Sequence, residues 1–200
     1  IVIIFSRKMK LFFKLPNIYA VLSFFVCSCW SSGKAPKNGV KTVHFPNSDI
    51  VKQTIEYKNG MKNGYLKEYY RDGVLKASQF YMNDTLDDTT RLYHPNGRLK
   101  TIQIFKNRLR HGCWRDYNRE GGLYSELFFK NGFLDSVCSK YSYKSLRLLT
   151  RITYNQGVKN GPEEKFYPSG KPQSRVYYNM GTVYGAAEEW EENGKKRNND

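Results

Sequence analysis

The sequence predicts an all-β fold: an elongated, single-layer antiparallel meander of about six β-hairpin repeats, each 24 residues long. Three observations predict it. Short turn signals recur with a period of 24, once 25: Lys58-Asn59-Gly60, Met82-Asn83-Asp84, Lys106-Asn107-Arg108, Lys130-Asn131-Gly132, Asn155-Gln156-Gly157 and Asn179-Met180-Gly181. Two aromatic columns keep step with them, Tyr57, Tyr81, Phe105, Phe129, Tyr154, Tyr178 and Tyr69, Tyr93, Tyr117, Tyr141, Phe166, Trp190. The segments between turns, such as VLKASQFY and RLKTIQIF, are rich in Val, Ile, Tyr, Phe and Thr and too short for helices.

The elements follow in chain order. Residues 1–28 read as an export signal: a short basic start, an apolar run and then small residues, with the reading frame expected to open at Met9. Pro16 and Asn17 interrupt the run, and a membrane-spanning helix would need about 20 apolar residues. The stretch Val26-Cys27-Ser28-Cys29 resembles the lipobox of bacterial lipoproteins, which implies that Cys29 is the lipid attachment site. The alternative is a conventional signal cleaved nearby, with Cys29 a free thiol or disulfide partner. Residues 29–42 are small, polar and Pro/Gly-containing, as in a flexible tether.

Residues 43–196 form the predicted repeat domain, and 197–200 a polar tail. Its first partial unit is His44 to Lys52, with Phe45 in the aromatic register and Asp49 in place of glycine. Asn-Gly and Asp-Gly tolerate positive φ, as tight hairpin turns require. Two further turn columns are read: Gly64, Asp88, Gly112, Ser136, Gly161, Gly185, and a second from Asp72-Gly73 through Asn96-Gly97 to Asn193-Gly194. By strict alternation Leu75, Ala77, Gln79 and Tyr81 face one way, aligned with Leu99, Thr101, Gln103 and Phe105. The extra residue is expected in YSYKSL (residues 141–146), giving a longer or bulged connection and the weakest register. Lys195, Lys196 and Arg197 are expected to guard the end of the sheet against edge pairing.

The alternating turn and aromatic columns resemble the MORN-repeat family, in the variant found in bacterial proteins labelled YwqK-type antitoxins. The resemblance covers about Val43 to Lys196, with several of the usual glycines replaced by Asp, Ser, Arg or Lys. It implies an extended sheet of hairpins used as a binding or assembly platform, and through the YwqK label an antitoxin or immunity role.

No catalytic constellation emerges. His44, His94 and His111 occupy unrelated repeat positions and are read as surface residues, so no metal, cofactor or enzymatic activity is expected. Cys113 and Cys138 should project to opposite faces, and their pairing stays open. The aromatic columns are read mainly as core. Phe80, Ile104, Phe128 and Tyr177 point to the face opposite Tyr81, Phe105, Phe129 and Tyr178. Phe80, Phe128, Tyr177 and Trp190 are therefore the candidate binding residues.

With 33 Lys and Arg against 18 Asp and Glu, the net charge is +15, or +11 without the four cations of the N-terminal segment. The expected function is that of a non-catalytic lipoprotein of the bacterial cell envelope, exported and lipid-anchored to a membrane, binding a protein or an anionic envelope polymer. The alternative is an antitoxin that neutralises a toxin by direct binding. Nucleic acid fits least, because an exported protein seldom meets it.

Overall fold

The structure is a computed structural model that describes residues 33–197. The export signal, Cys29 and the last three residues lie outside the described residues.

The repeat period becomes a ladder of strands because each turn reverses the chain and each strand pairs with the one before it. The strands are β1 (Gly39–His44), β2 (Val51–Lys58), β3 (Met61–Tyr69), β4 (Leu75–Met82), β5 (Thr85–Leu86), β6 (Asp88–Tyr93), β7 (Leu99–Lys106) and β8 (Leu109–Tyr117). They continue as β9 (Leu123–Lys130), β10 (Phe133–Leu134), β11 (Ser136–Tyr141), β12 (Leu148–Asn155), β13 (Val158–Phe166), β14 (Pro172–Asn179), β15 (Thr182–Val183) and β16 (Glu188–Glu189). All pair antiparallel in one sheet, in sequence order, with β5, β10 and β15 as stubs that run on into β6, β11 and β16. There is no helix among the described residues. The sheet begins at Gly39, inside the stretch read as a tether, because β1 pairs with β2 from Gly39↔Tyr57 to Thr42↔Thr54.

Register assigns every side chain to one of two faces. The packed face carries Ile55, Leu66, Ala77, Phe129 and Cys138, all buried, together with the column Tyr57, Tyr81, Phe105, Phe129, Tyr154, Tyr178. Trp114 wedges between Phe105 and Phe129, with ring centroids at 5.3 and 4.7 Å, and donates its indole N–H to the Ile104 carbonyl at 2.9 Å. This is a thin core: no large side chain among the described residues is fully buried. A single layer holds through pairing between neighbouring units, since one hairpin alone is marginal.

Two corrections to simple alternation follow from bulges. Tyr69 pairs with Leu75 while Glu68 pairs with Ala77, so Lys76 is an extra residue and Leu75 lies on the face opposite Ala77, Gln79 and Tyr81. The same insertion recurs at Lys52, Lys100, Tyr124, Leu149 and Gln173, and it carries the second aromatic column to the other face. The column Gly64, Asp88, Gly112, Ser136, Gly161 is likewise not a set of turns. Ile55 pairs with Leu66 and Tyr57 with Lys62, so three residues around Gly64 oppose Glu56 alone. These are bulges, inside β3 at Gly64 and at the β5–β6 and β10–β11 breaks at Asp88 and Ser136, with φ of 117°, 60° and 61°. A bulge and a turn both need the left-handed region, so they draw on the same residues.

Both edges are stapled from unit to unit. At the Asn-Gly edge, the Asp84, Gly132, Gly157 and Gly181 N–H groups donate to the Lys62, Arg110, Leu134 and Lys159 carbonyls at 2.7–2.9 Å. At the far edge, the Tyr70 hydroxyl donates to the Tyr93 carbonyl, His94 Nε2–H to Tyr117, Asn118 Nδ2–H to Tyr143 and the Tyr167 hydroxyl to Trp190, at 2.8–2.9 Å. His94 is thus a buried staple rather than a surface residue, whereas His44 is exposed. The connection from Ser142 to Arg147, closed by Ser142 N–H to the Arg147 carbonyl at 2.8 Å, is one residue longer than those beginning at Tyr70, His94, Asn118 and Tyr167, and as long as the one from Phe45 to Ile50. The register beside it is not weakened: Ser136↔Tyr154 to Lys140↔Thr150 runs unbroken.

A longer period underlies the 24-residue one. β3, β8 and β13 are each nine residues long, while the intervening strands break after two. In the unbroken units a cation covers the next unit's ring: Lys62 on Tyr81 at 5.0 Å, Arg110 on Phe129 at 4.5 Å and Lys159 on Tyr178 at 4.7 Å. The broken units have Leu86, Leu134 and Val183 at that place.

Candidate functional site: the ladder face

The face opposite the packed one carries three side-chain rows running across the strands. The middle row is set by the pairings Lys67↔Ser78↔Arg91↔Ile102↔Arg115↔Glu126↔Ser139↔Arg151↔Glu164↔Arg175↔Glu188. On its Asn-Gly side lies an apolar row that includes Tyr65, Phe80, Ile104, Phe128, Val137 and Tyr177. On its far side runs the second aromatic column, ending at Trp190.

The structure therefore brings Phe80, Phe128 and Tyr177 into one row and puts Trp190 on the same face, two rows away. Tyr65 meets Phe80 edge-on at 5.3 Å, and Tyr65 and Tyr177 are 40% and 42% exposed. The Arg175 guanidinium lies over the Trp190 ring at 5.9 Å and links the far row to the middle one. Cys29 lies outside the described residues. Cys113 pairs with Phe128 on this face and Cys138 with Ile152 on the packed face. Both are free thiols.

From Arg115 onward the middle row neutralises itself. Arg115 bonds Glu126 at 2.7 Å. Glu164 receives Arg151 at 2.7 Å and Arg175 at 2.9 Å, and Arg175 also faces Glu188 at 3.7 Å. Burial by itself would raise the Glu164 carboxyl, but the hydrogen bonds and charges of Arg151 and Arg175 outweigh it and hold the group below its ordinary value. Around this triad Val137, Thr153, Pro162 and Tyr177 line a shallow groove of about 420 Å³.

Arg151, Glu164 and Arg175 were not among the residues singled out in the sequence. Arg151 and Arg175 stand one period apart and Glu164 recurs as Glu188, but that Arg and Glu face each other across neighbouring strands is set by the cross-strand register. Among the described residues no group of His, Cys, Asp and Glu is arranged to hold a metal ion. What the face offers is an extended area of rings and charges for binding.

Fold and face together define a β-hairpin repeat protein with an open sheet face. Three segments, residues 62–83, 110–131 and 159–180, match the MORN repeat variant. They are the unbroken units: each runs from the cation at Lys62, Arg110 or Lys159 through the bulge glycine and the following strand. The intervening units, with Asp88 and Ser136 at the bulge, are not matched. Repeats of this kind are commonly non-catalytic and bind proteins or membranes. No curated protein matches the chain.

Proposed function

We propose that the protein is a non-catalytic lipoprotein of the bacterial cell envelope, held to a membrane through Cys29, whose ladder face binds a protein or an anionic envelope polymer. The observation that supports this reading is the continuity of that face. Rings at Phe80, Phe128 and Tyr177 and a parallel charged row stay in register across successive units, with no second layer of the described chain over them. Rings laid flat beside charged groups suit recognition of an extended partner.

The test is capture of partners from detergent-solubilised membranes by the full chain and by its Phe80→Ala/Phe128→Ala/Tyr177→Ala variant. A partner held by the first and lost by the second supports the reading; equal recovery refutes it. Recovery of a single stoichiometric toxin would replace the envelope role by an immunity role. For the anchor, Cys29→Ser should move the protein from the membrane fraction to the soluble one.

A further inference from the structure

The middle row of the ladder face is divided. Toward the C-terminus each arginine has an acidic neighbour: Arg115 has Glu126, Arg151 has Glu164, and Arg175 has both Glu164 and Glu188. In the first half the row reads Thr54, Lys67, Ser78, Arg91, Ile102, and neither Lys67 nor Arg91 has an ion-pair partner among the described residues. Lys67 instead leans over the Tyr65 ring at 5.7 Å. Glu56 on this half of the face has its carboxylate turned into the Gly64 bulge, accepting the Tyr65 N–H at 2.9 Å, and Asp87 stands at the Asn-Gly side, its N–H on the Phe80 carbonyl at 3.0 Å. Lys58 and Lys106, also without an ion pair among the described residues, stand along the Asn-Gly side.

Lys67 and Arg91 lie between rings. Tyr65 and Phe80 form the row on one side, and Tyr69 and Tyr93 the row on the other, with the small, buried Ser78 as floor between Lys67 and Arg91. Lys67 and Arg91 sit two strands apart, about 10 Å, comparable to two residues of an extended sugar chain. We infer that this half of the ladder face, centred on Lys67 and Arg91, is a binding site for an acidic polysaccharide. Its carboxylates pair with the two cations, and the C–H faces of its sugars lie on the flanking tyrosines and Phe80. An anionic membrane fits the Lys67–Arg91 centre less well, because the protruding aliphatic side chains Met82 and Leu109, 50% and 47% exposed, stand at the turn edge, Leu109 opposite Lys106, and not around Lys67 and Arg91.

The inference rests on the proposal that this face is a binding platform, and it narrows that proposal to one half and one chemistry. The test measures binding of the full chain to polygalacturonate, to neutral dextran and to vesicles with anionic headgroups, at low and raised salt. Lys67→Glu and Arg91→Glu should each weaken polygalacturonate binding about tenfold or more. Lys144→Glu, the same charge change in the exposed turn before β12, should change it less than about twofold. Thermal melts establish that the variants fold.

Equal losses in all three variants, dextran bound as tightly as polygalacturonate, or vesicles bound and the polymer not, would each overturn the site. If membrane capture still recovers a partner from the Lys67→Glu/Arg91→Glu variant, the platform stands and this assignment falls. Failure of the wild-type chain to capture anything removes the platform itself.

Discussion

Glu164→Gln removes one charge and almost no volume from the most tightly held acid of the ladder face. Glu164 is 10% exposed at its side chain and takes both guanidinium groups through four N–H contacts of 2.7–3.1 Å. Hydrogen bonds to a charged group contribute about 1.5–3 kcal/mol each when buried. Here Arg151 and Arg175 are 48% and 39% exposed, so solvent screening brings each pair to about 0.5–1 kcal/mol. The two together give about 1–2 kcal/mol, which for a domain of this size lowers Tm by roughly 2–8 °C. Calorimetry at pH 7 should show that difference between wild type and variant.

Acid supplies the sign. The folded carboxyl is depressed below its unfolded value, so its contribution is fully present above the unfolded value and is lost as pH falls through the folded one. The gap between wild type and Glu164→Gln should therefore narrow progressively as pH falls below the ordinary carboxyl range. A variant as stable as wild type at pH 7, or a gap that does not narrow on acidification, would refute the reasoning.

Three further outcomes are expected. Gly161→Ala should destabilise by about 1–2 kcal/mol, because φ is 110° and a Cβ would meet Thr153 Cβ at 3.1 Å; urea denaturation measures it. His94→Ala should cost about 1–2 kcal/mol, leaving the Tyr117 carbonyl without its 2.8 Å partner, and hydrogen exchange should rise first in the turns on either side. Cys113 should alkylate much more slowly than an exposed cysteine at pH 8, since burial first, and then the Glu126 carboxylate, push its thiol up to about 11. Rapid labelling would contradict the position given to it.

The strands, their order and the repeat length were legible because turn chemistry and ring spacing are local signals that recur. The faces were only partly legible. A single inserted residue such as Lys76 reverses the alternation, and nothing in LKASQFY marks it, since the bulge is visible only as a shift between Tyr69↔Leu75 and Glu68↔Ala77. Gly64 read as a turn for a related reason: sequence reports the need for positive φ and not its cause. The rings at Phe80, Phe128 and Tyr177 fell on one face as their spacing suggested. The charges between them were hidden, because Arg151, Glu164 and Arg175 become neighbours through pairing alone.

The alternation of unbroken and broken strands makes the natural unit of growth a pair of hairpins. Adding or removing 48 residues would join like to like, with a lysine or arginine again resting on the next ring. A step of 24 would set Leu86-type and Lys62-type positions against the wrong neighbours and leave a seam. Longer and shorter natural versions of this chain should accordingly differ by an even number of hairpins, much as a zip can be shortened only by whole teeth on both sides.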